Sequence, residues 1–342
     1  MFSLSLEPTN KCNRSCLHCL RDKMEPRESI SLDLVEKILG EARALKIDKI
    51  KLTGGEITTY PDLEQLILMI VDYGFRFNFV TNGNQFRERL LPLLTQNKIK
   101  RKVEEVCFSL DGAKAESHDA LRGEGSFKEV MEVATICRLK DISINLKSII
   151  TEFNKRELTD LALLGATLGT KTHSFIFPIP TPKLVQNNII PPPAEVEQII
   201  LWIMNSLAQS IKTSIRIDAY CAPSVLFWCN SFQSPTIDYQ GNLIFCCSLS
   251  HVVNDEKPAT FGRELLVDLK EKPLSEGIAL HFDLLAETMK KRLEDAQNLS
   301  PLTYIPCYWC FQHFGKFDWL KQYPESPWAA SILENDRSHG TQ

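Results

Sequence analysis

The chain lacks long hydrophobic runs and a clear excess of either charge. Its longest apolar runs, residues 66–71 and 199–204, are six residues long, whereas a helix that spans a membrane needs about 20. Lysine and arginine total 39, against 43 aspartates and glutamates, for a net charge of −4. Because no broad basic surface is indicated, we expect neither a nucleic-acid partner nor a membrane partner.

The sequence also has no sign of export or of low complexity. Its first residues, 1–7, have no basic segment and no small-residue cleavage site, so we predict a cytoplasmic protein without a signal peptide. Glycine (15) and proline (18) are too few for a low-complexity chain, and 44% apolar and 24% charged residues are typical of a globular one. The length of 342 residues fits a large α/β domain with a smaller one, or a barrel with an appendage.

Cysteine is the residue type that stands out, with eleven copies. In a chain without an export signal these are expected to be thiols or metal ligands rather than disulfides. Cys107 and Cys137 lie in apolar contexts and are predicted core residues. The others form an N-terminal and a C-terminal group, which indicates two metal centres: Cys12, Cys16 and Cys19, then Cys221, Cys229, Cys246, Cys247, Cys307 and Cys310.

Short apolar segments alternate with amphipathic ones over the first two-thirds of the chain. The predicted strands cover residues 3–7, 48–52, 75–80, 103–110, 143–150 and 173–177. Helices are predicted after Ser31 and Ser126 as N-caps, from Pro61, and over 87–94 and 158–168. Parallel neighbours need helical crossovers, so this order predicts an α/β fold with a partial (β/α)6 TIM-like barrel. The chemistry of such folds lies at the C-terminal strand ends.

The first cysteine group follows the first predicted strand with the spacing Cys12-x3-Cys16-x2-Cys19. Three thiolates on one loop can hold three corners of an iron–sulfur cube and leave one iron open. A zinc site with His18 as fourth ligand and a set of plain thiols are the alternatives. His18 lies between two ligands on a tight loop, which is a poor position for tetrahedral closure.

Residues 7–19, Glu-Pro-Thr-Asn-Lys-Cys-Asn-Arg-Ser-Cys-Leu-His-Cys, resemble the cluster loop of radical S-adenosylmethionine (SAM) enzymes. Gly54-Gly55-Glu56 is similar to the family's SAM-binding turn, and Ser109-Leu110-Asp111-Gly112, His118-Asp119 and Arg122-Gly123 follow its pattern in order. The resemblance covers nearly the whole chain. One departure is His18, where the family often has a carbocyclic aromatic residue that packs near the cluster without ligating it, so we expect little consequence.

The resemblance implies a 4Fe–4S cluster on Cys12, Cys16 and Cys19, with SAM chelating the open iron. Gly54 and Gly55 would let the backbone approach SAM, and Glu56 would balance its ammonium group. Arg122 is a candidate partner of the SAM carboxylate, and Ser109, Asn145 and Lys147 would meet the ribose. Reductive cleavage of SAM would release a 5′-deoxyadenosyl radical, which abstracts hydrogen from a C–H bond. Taken alone, the glycines fit a simple turn, Glu56 a first-turn carboxylate and Arg122 a surface residue.

The C-terminal cysteines suggest a second centre. Cys229 is followed by a predicted hairpin over 236–245 that leads to Cys246, and Cys307 and Cys310 would lie on a tight turn. Four thiolates suit a 4Fe–4S cluster or zinc. The spacing resembles the twitch form of the SPASM auxiliary-cluster domain, and because no further cysteine follows Cys310 we expect one auxiliary cluster. Cys221 could replace Cys229 as a ligand or lie in the active site.

Cys247 directly follows a predicted ligand, so its side chain is expected to point away from that of Cys246. In related SPASM enzymes the residue at this place reaches the active site, and a thiol there could donate a hydrogen atom to a substrate radical. A buried small residue and a spare cluster ligand are the alternatives.

The sequence thus predicts four regions. Residues 1–190 would form the radical SAM core, 191–220 a linker helix and strand, 221–325 a twitch/SPASM-like auxiliary domain, and 326–342 a C-terminal tail. Six prolines in 178–193 mark the boundary or a loop across the barrel mouth, and helices are expected over 194–207, 266–278 and 282–296.

The resemblance implies an enzyme of oxidoreductase or isomerase type. Its expected substrate is a ribosomally synthesised peptide, modified by epimerisation, crosslinking or backbone rearrangement. A dehydrogenase or epimerase of a small sugar-like alcohol is the alternative, and a non-enzymatic zinc scaffold a distant one. An electron donor such as flavodoxin or ferredoxin is implied. Only 11 residues precede Cys12, so a peptide substrate would require a separate recognition partner, or the small-molecule alternative gains weight.

Overall fold

The structure is a computed structural model. It describes residues 2–21, 26–218, 229, 234–249, 253–254, 257–258, 262–295 and 305–337, and of these 253–254, 257–258 and 334–337 by backbone alone. Cys221, one of the predicted ligands, lies outside the described residues.

The predicted alternation of strands and helices is confirmed over the first two-thirds of the chain. The strands are β1 Ser3–Leu6, β2 Lys49–Leu52, β3 Arg76–Thr81, β4 Val103–Ser109, β5 Ile144–Ile149, β6 Thr172–Ile176 and β7 Ser214–Ile217. The helices are α1 Leu32–Ala44, α2 Leu63–Asp72, α3 Leu91–Leu94, α4 Asn97–Lys100, α5 Ala115–Arg122, α6 Ser126–Leu139, α7 Leu158–Leu168, α8 Pro182–Gln186, α9 Pro193–Trp202 and α10 Ala208–Ser210. Turns of 3₁₀ type at Ile57–Thr59 and of π type at Phe86–Leu90 and Ile203–Leu207 complete this part.

The C-terminal part adds short strands and three helices. The strands are β8 Thr236–Ile237, β9 Asn242–Ile244, β10 Val253–Asn254, β11 Lys257–Pro258 and β12 Leu265–Asp268. The helices are α11 Leu274–Glu294, α12 Pro306–His313 and α13 Pro327–Arg337, with a 3₁₀ turn at Asp318–Gln322. The stretch predicted as a C-terminal tail therefore contains a helix, and its Trp328 is buried.

Within the described residues, ten strands form one sheet in the order β12-β9-β8-β1-β2-β3-β4-β5-β6-β7. Strands β1 to β7 are parallel neighbours in chain order, which is the predicted partial barrel extended by β7. Strand β8 pairs in parallel with β1, and β9 is antiparallel to β8 and β12. The hairpin of the predicted auxiliary region therefore continues the barrel sheet.

Local sequence explains several element boundaries and corrects others. The Ser31 hydroxyl accepts from the N–H of Leu34 and caps α1 as predicted. Ser126 is not the cap of α6: Gly125, in the left-handed region at φ +78°, precedes the helix, and the Ser126 hydroxyl donates to Asp119. Asp62, not Pro61, precedes α2. The helix expected over 266–278 begins only at Leu274, because residues 265–268 pair with β9 as strand β12.

The C-terminal elements pack directly on the barrel. The backbone N–H of Leu274, at the start of α11, donates to the Glu41 carboxylate on α1 at 2.5 Å. The hydroxyl of Tyr308 on α12 donates to the carbonyl of Pro178, just after β6, at 3.0 Å. The second contact places helix α12, which carries Cys307 and Cys310, beside the C-terminal end of β6.

Candidate active site

A cavity of about 310 Å³ lies at the C-terminal ends of the barrel strands. The loop after β1 contributes Cys12, Cys16 and Cys19, and residues near the ends of β3 to β6 contribute others, such as Thr81 and Ile149. Six of the seven predicted SAM-contacting residues line it: Gly54, Gly55, Glu56, Ser109, Arg122 and Lys147. The parallel sheet thus brings together residues as far apart in sequence as Asn10 and Ile176, because all its βα loops leave from the same edge.

Asn145 is the exception, and its predicted place at the cavity is wrong. It pairs with Cys107 across β4 and β5, two residues before the level at which Ser109 pairs with Lys147. A shift of two residues along a strand moves a side chain about 7 Å deeper on the same face. There the Asn145 amide donates to Glu105 at 2.6 Å and accepts from the N–H of Thr172.

The cysteine loop is held by polar contacts to residues 26–30. The Asn10 amide donates to the carbonyl of Pro26 at 2.8 Å and accepts from the N–H of Glu28 at 2.7 Å. Thr9 forms an antiparallel bridge with Ser29. These bonds fix the backbone immediately before Cys12.

Each of the three thiols has an N–H group directed at it. The Asn82 amide lies 3.9 Å from the Cys12 sulfur, an Arg122 Nη1 3.9 Å from the Cys16 sulfur, and the backbone N–H of Arg21 3.4 Å from the Cys19 sulfur. Burial raises the pKa of Cys12, and it raises the pKa of Cys16 to about 11 while the Arg122 cation opposes it. Donors of this kind stabilise thiolates, which are the form that binds metal.

The chemistry of this donor set fits an iron–sulfur cluster, because thiolates are the side chains that hold such clusters. In an iron–sulfur cube each thiolate binds a different iron, so the sulfurs need not converge on one point. The residues present therefore fit a cluster held at three corners.

The glycines of the turn after β2 are required by contact with the cysteine loop itself. Gly54 has φ +113°, and a Cβ there would lie 2.6 Å from the carbonyl oxygen of Thr9. A Cβ on Gly55 would lie 2.0 Å from that of Lys11. The N–H of Gly55 donates to Thr9, and that of Glu56 to Lys11. The close approach expected toward SAM is thus observed toward residues 9–11.

Glu56 is buried and fixed from both sides. One carboxylate oxygen accepts from the backbone and hydroxyl of Thr58, each at 3.2 Å, and from the Thr81 hydroxyl at 2.7 Å. The other accepts from the backbone N–H of Asn82 at 2.7 Å. Burial raises the pKa of Glu56, and these hydrogen bonds oppose the rise. The result is a positioned acceptor at the cavity wall.

Arg122 is buried rather than at the surface, and it is bonded to Asp111. The Arg122 Nε donates to an Asp111 oxygen that also contacts His18 Nε2 at 2.7 Å. Burial would raise the pKa of Asp111, but Arg122 and His18 outweigh it and hold that pKa well below its usual range. His18 therefore has a polar partner, which was not expected from its place in the sequence.

Arg21 and Lys147 connect the cavity with the C-terminal region. Arg21 pairs with the Glu7 carboxylate, donates to the carbonyl of Gly54 at 3.2 Å, and interacts electrostatically with both Cys19 and Cys247. Lys147 pairs with Asp218 at 3.1 Å, and this ion pair raises the pKa of Lys147. Lys147 also interacts electrostatically with Cys247. Neither Arg21 nor Asp218 was singled out from the sequence, because each lies outside the recognised motifs.

The described C-terminal cysteines form a second group of thiols. Cys307 interacts electrostatically with Cys229, Cys310 and Cys247, and burial raises the pKa of Cys307 well above its usual value. Cys307 and Cys310 lie one turn apart on helix α12, not on the expected tight turn. Cys246 follows β9, as the hairpin predicted.

The thiols of Cys246 and Cys247 are hydrogen-bonded to each other, and this contact, followed by burial, raises the pKa of Cys247. The expectation that these side chains point apart is therefore wrong. Strand β9 ends at Ile244, so the alternation of side chains along a strand no longer applies at 246–247. Cys107 and Cys137 are buried as predicted, and burial raises the pKa of each to about 12.

Comparison with known families identifies the N-terminal half. Residues 6–163 match the family model of the radical SAM superfamily. This segment is a radical SAM domain. It contains the cysteine loop, the glycine turn and the Asp111–Arg122 pair, all of which meet at the cavity.

Similar proteins extend this likeness beyond the radical SAM domain. The AdoMet-dependent heme synthase of Methanosarcina barkeri is 27% identical over 223 residues, 64% of this chain and 62% of that protein. Mycofactocin maturase MftC of Mycobacterium tuberculosis is 30% identical over 169 residues, 48% of this chain and 42% of that protein. The chain thus spans about two fifths to three fifths of the length of these curated relatives.

A solved structure shares the fold. Streptococcus suis SuiB bound to precursor peptide SuiA has a TM-score of 0.63 at 14% identity, covering 80% of this chain and 63% of that chain.

In the described part of the chain, no helix combines the length and the apolar composition needed to cross a membrane.

Proposed function

We propose that this protein is a cytoplasmic radical SAM enzyme that removes a hydrogen atom from a C–H bond of a ribosomally synthesised peptide. The observation that carries the proposal is the set of three thiols, each with its own N–H donor, at the wall of a strand-end cavity. MftC is named as a maturase, and SuiB binds a precursor peptide. These two proteins support a peptide substrate.

Cys12, Cys16 and Cys19 would hold a 4Fe–4S cluster, and SAM would lie in the cavity beside it. When bound, this pair supplies a 5′-deoxyadenosyl radical by one-electron cleavage of SAM. The chain's own residues shape that site. Glu56 and Ser109 would offer acceptors at the wall and Lys147 a cation, while Val80, Ile149 and Ile176 add apolar surface.

Cys229, Cys246, Cys307 and Cys310 would hold one auxiliary 4Fe–4S cluster. The electrostatic contacts among Cys229, Cys307 and Cys310 support that assignment. Cys247 would donate a hydrogen atom to the substrate radical, which supports epimerisation as the outcome. Its S–H bond breaks as the C–H bond forms, and one electron from the electron donor together with a proton would return the thiyl radical to the thiol. The support for this role is the interaction of Cys247 with Arg21 and Lys147, two residues that line the cavity.

A small-molecule substrate is the second candidate. The M. barkeri relative is named for heme, which is a small molecule rather than a peptide. On this alternative the enzyme would be a dehydrogenase or epimerase of a sugar-like alcohol. Either reaction would need an electron donor such as flavodoxin or ferredoxin.

Anaerobic purification followed by incubation with SAM and dithionite tests the proposal. The wild type is expected to be brown, to contain iron and to form 5′-deoxyadenosine. Cys12→Ala should form no 5′-deoxyadenosine and should lose the iron of the N-terminal cluster while it keeps that of the auxiliary cluster. Cys137→Ala is the matched control, because Cys137 is buried in the core away from the cavity. A colourless wild type with stoichiometric zinc, or equal 5′-deoxyadenosine from Cys12→Ala, would overturn the proposal.

The donor role of Cys247 needs a separate test. With a precursor peptide encoded beside the gene as substrate, epimerisation in deuterated water should place deuterium at the product carbon. Cys247→Ala should lose that deuterium while still forming 5′-deoxyadenosine. If the variant incorporates as much deuterium as the wild type, another group is the donor.

A further inference from the structure

Arg122 is oriented by one acidic residue and directed at one thiol. Its side chain is 9% exposed, its Nε donates to Asp111, and its Nη1 lies 3.9 Å from the Cys16 sulfur. A guanidinium is a rigid planar group, so fixing the Nε also fixes where the two terminal nitrogens point.

Asp111 is itself held at every polar atom. Its second carboxylate oxygen accepts from the backbone N–H of Ile149 at 2.8 Å, and its own N–H donates to His118 Nδ1 at 3.0 Å. Its carbonyl accepts from the Asn154 amide at 2.5 Å. The carboxylate is wholly buried. Asp111 therefore connects the end of β4, the end of β5 and helix α5 to the Arg122 side chain.

We propose that Arg122, positioned by Asp111, is a donor to the Cys16 thiolate that sets the reduction potential of the N-terminal cluster. This inference rests on the proposed function, since it requires a cluster on Cys16. It replaces the expectation that Arg122 binds the SAM carboxylate, because the Nε and Nη1 of this side chain are already directed at protein groups.

The physical reason is electrostatic. A reduced cluster carries one more negative charge than an oxidised one, so a nearby cation and an N–H bond to a ligand sulfur favour reduction. Cys16 is buried, with a side chain in a region of low dielectric, where such an interaction is stronger than in water. Removing the guanidinium should therefore make the potential more negative.

The test is a redox titration followed by electron paramagnetic resonance, on full-length protein without SAM, in parallel with SAM binding by equilibrium dialysis. For Arg122→Met we expect about a tenfold shift of the reduction equilibrium, which is about 59 mV for one electron. The dissociation constant of SAM should change by less than about twofold. Arg14→Met is the charge-matched control, since Arg14 also lines the cavity but pairs with Glu129. Its potential should shift by less than half as much.

Arg122→Lys keeps the cation but not the planar fork, so it cannot bond Asp111 and Cys16 in the same way. Arg122→Lys should shift the reduction potential in the same direction by a smaller amount. If Arg122→Met loses the cluster, the redox titration is made on Arg122→Lys instead. If the Arg122 variants keep the wild-type reduction potential but bind SAM much more weakly, Arg122 is assigned to the SAM carboxylate. That result would overturn the inference, while the proposed function stands. A wild type without an iron–sulfur signal would instead refute the proposed function itself.

Discussion

Replacing Gly55 by alanine tests how the cysteine loop is held in place. A Cβ on Gly55 would lie 2.0 Å from the carbonyl oxygen of Lys11, 2.7 Å from its carbon and 2.8 Å from the carbonyl carbon of Asn10. To reach ordinary contact at 3.4 Å, the two backbones must separate by about 1.4 Å. Both partners are backbone, so no side-chain rotation can relieve the clash.

The cost can be worked from the bonds at this contact. The carbonyl of Lys11 accepts from the N–H of Glu56 at 2.8 Å and from the Thr59 hydroxyl at 3.0 Å. Overpacking of this kind costs roughly 1–3 kcal/mol, and each lost hydrogen bond about 1 kcal/mol. We expect Gly55→Ala to lower the free energy of unfolding by about 3 kcal/mol.

The assay is urea unfolding of the apoprotein together with the iron content after anaerobic reconstitution. Lys11 directly precedes Cys12, so the variant should also lose much of its iron. Gly40→Ala is the control, because Gly40 lies within α1 and the nearest atom to its Cβ is 3.8 Å away. That change should add about 0.5–1 kcal/mol of stability. Equal stability and equal iron in the two variants would refute the reasoning.

Two further predictions concern stability. Burial lowers the pKa of His118 and of His173 to about 4 from 6.5, so between these values the unfolded chain binds protons that the folded chain does not. The free energy of unfolding should fall as the pH drops from 6.5 to 4, by about 3 kcal/mol per histidine, and a flat pH series of urea unfolding would contradict this. Phe86 is wholly buried, and its ring lies 5.3 Å from that of Phe108. Phe86→Ala should lower the free energy of unfolding by about 3–5 kcal/mol. Phe153→Ala, at a 47% exposed position, should change stability by less than about 0.5 kcal/mol, and equal losses in the two variants would argue against this packing.

The C-terminal half shows where reading the sequence stops being reliable. Residues 266–268 were expected in a helix, yet they belong to strand β12, because β9 offers residues 265–268 a pairing edge. Cys307 and Cys310 fit a turn by spacing, but Pro306 opens a helix that carries both. In each case a tertiary neighbour or a local start signal outweighed the pattern of the segment.

The sequence by itself determined the parallel barrel, because the alternation of strands and helices and the length of their connections leave few other arrangements. It also determined the cysteine triplet, because three soft ligands within eight residues must share one loop. Only the tertiary structure decided which side chains touch. It placed Asn145 one layer below the cavity, directed Arg122 at Cys16 through Asp111, and bonded His18 to the same carboxylate. Those contacts depend on strand register and on helix orientation, which pattern and spacing along the chain do not encode.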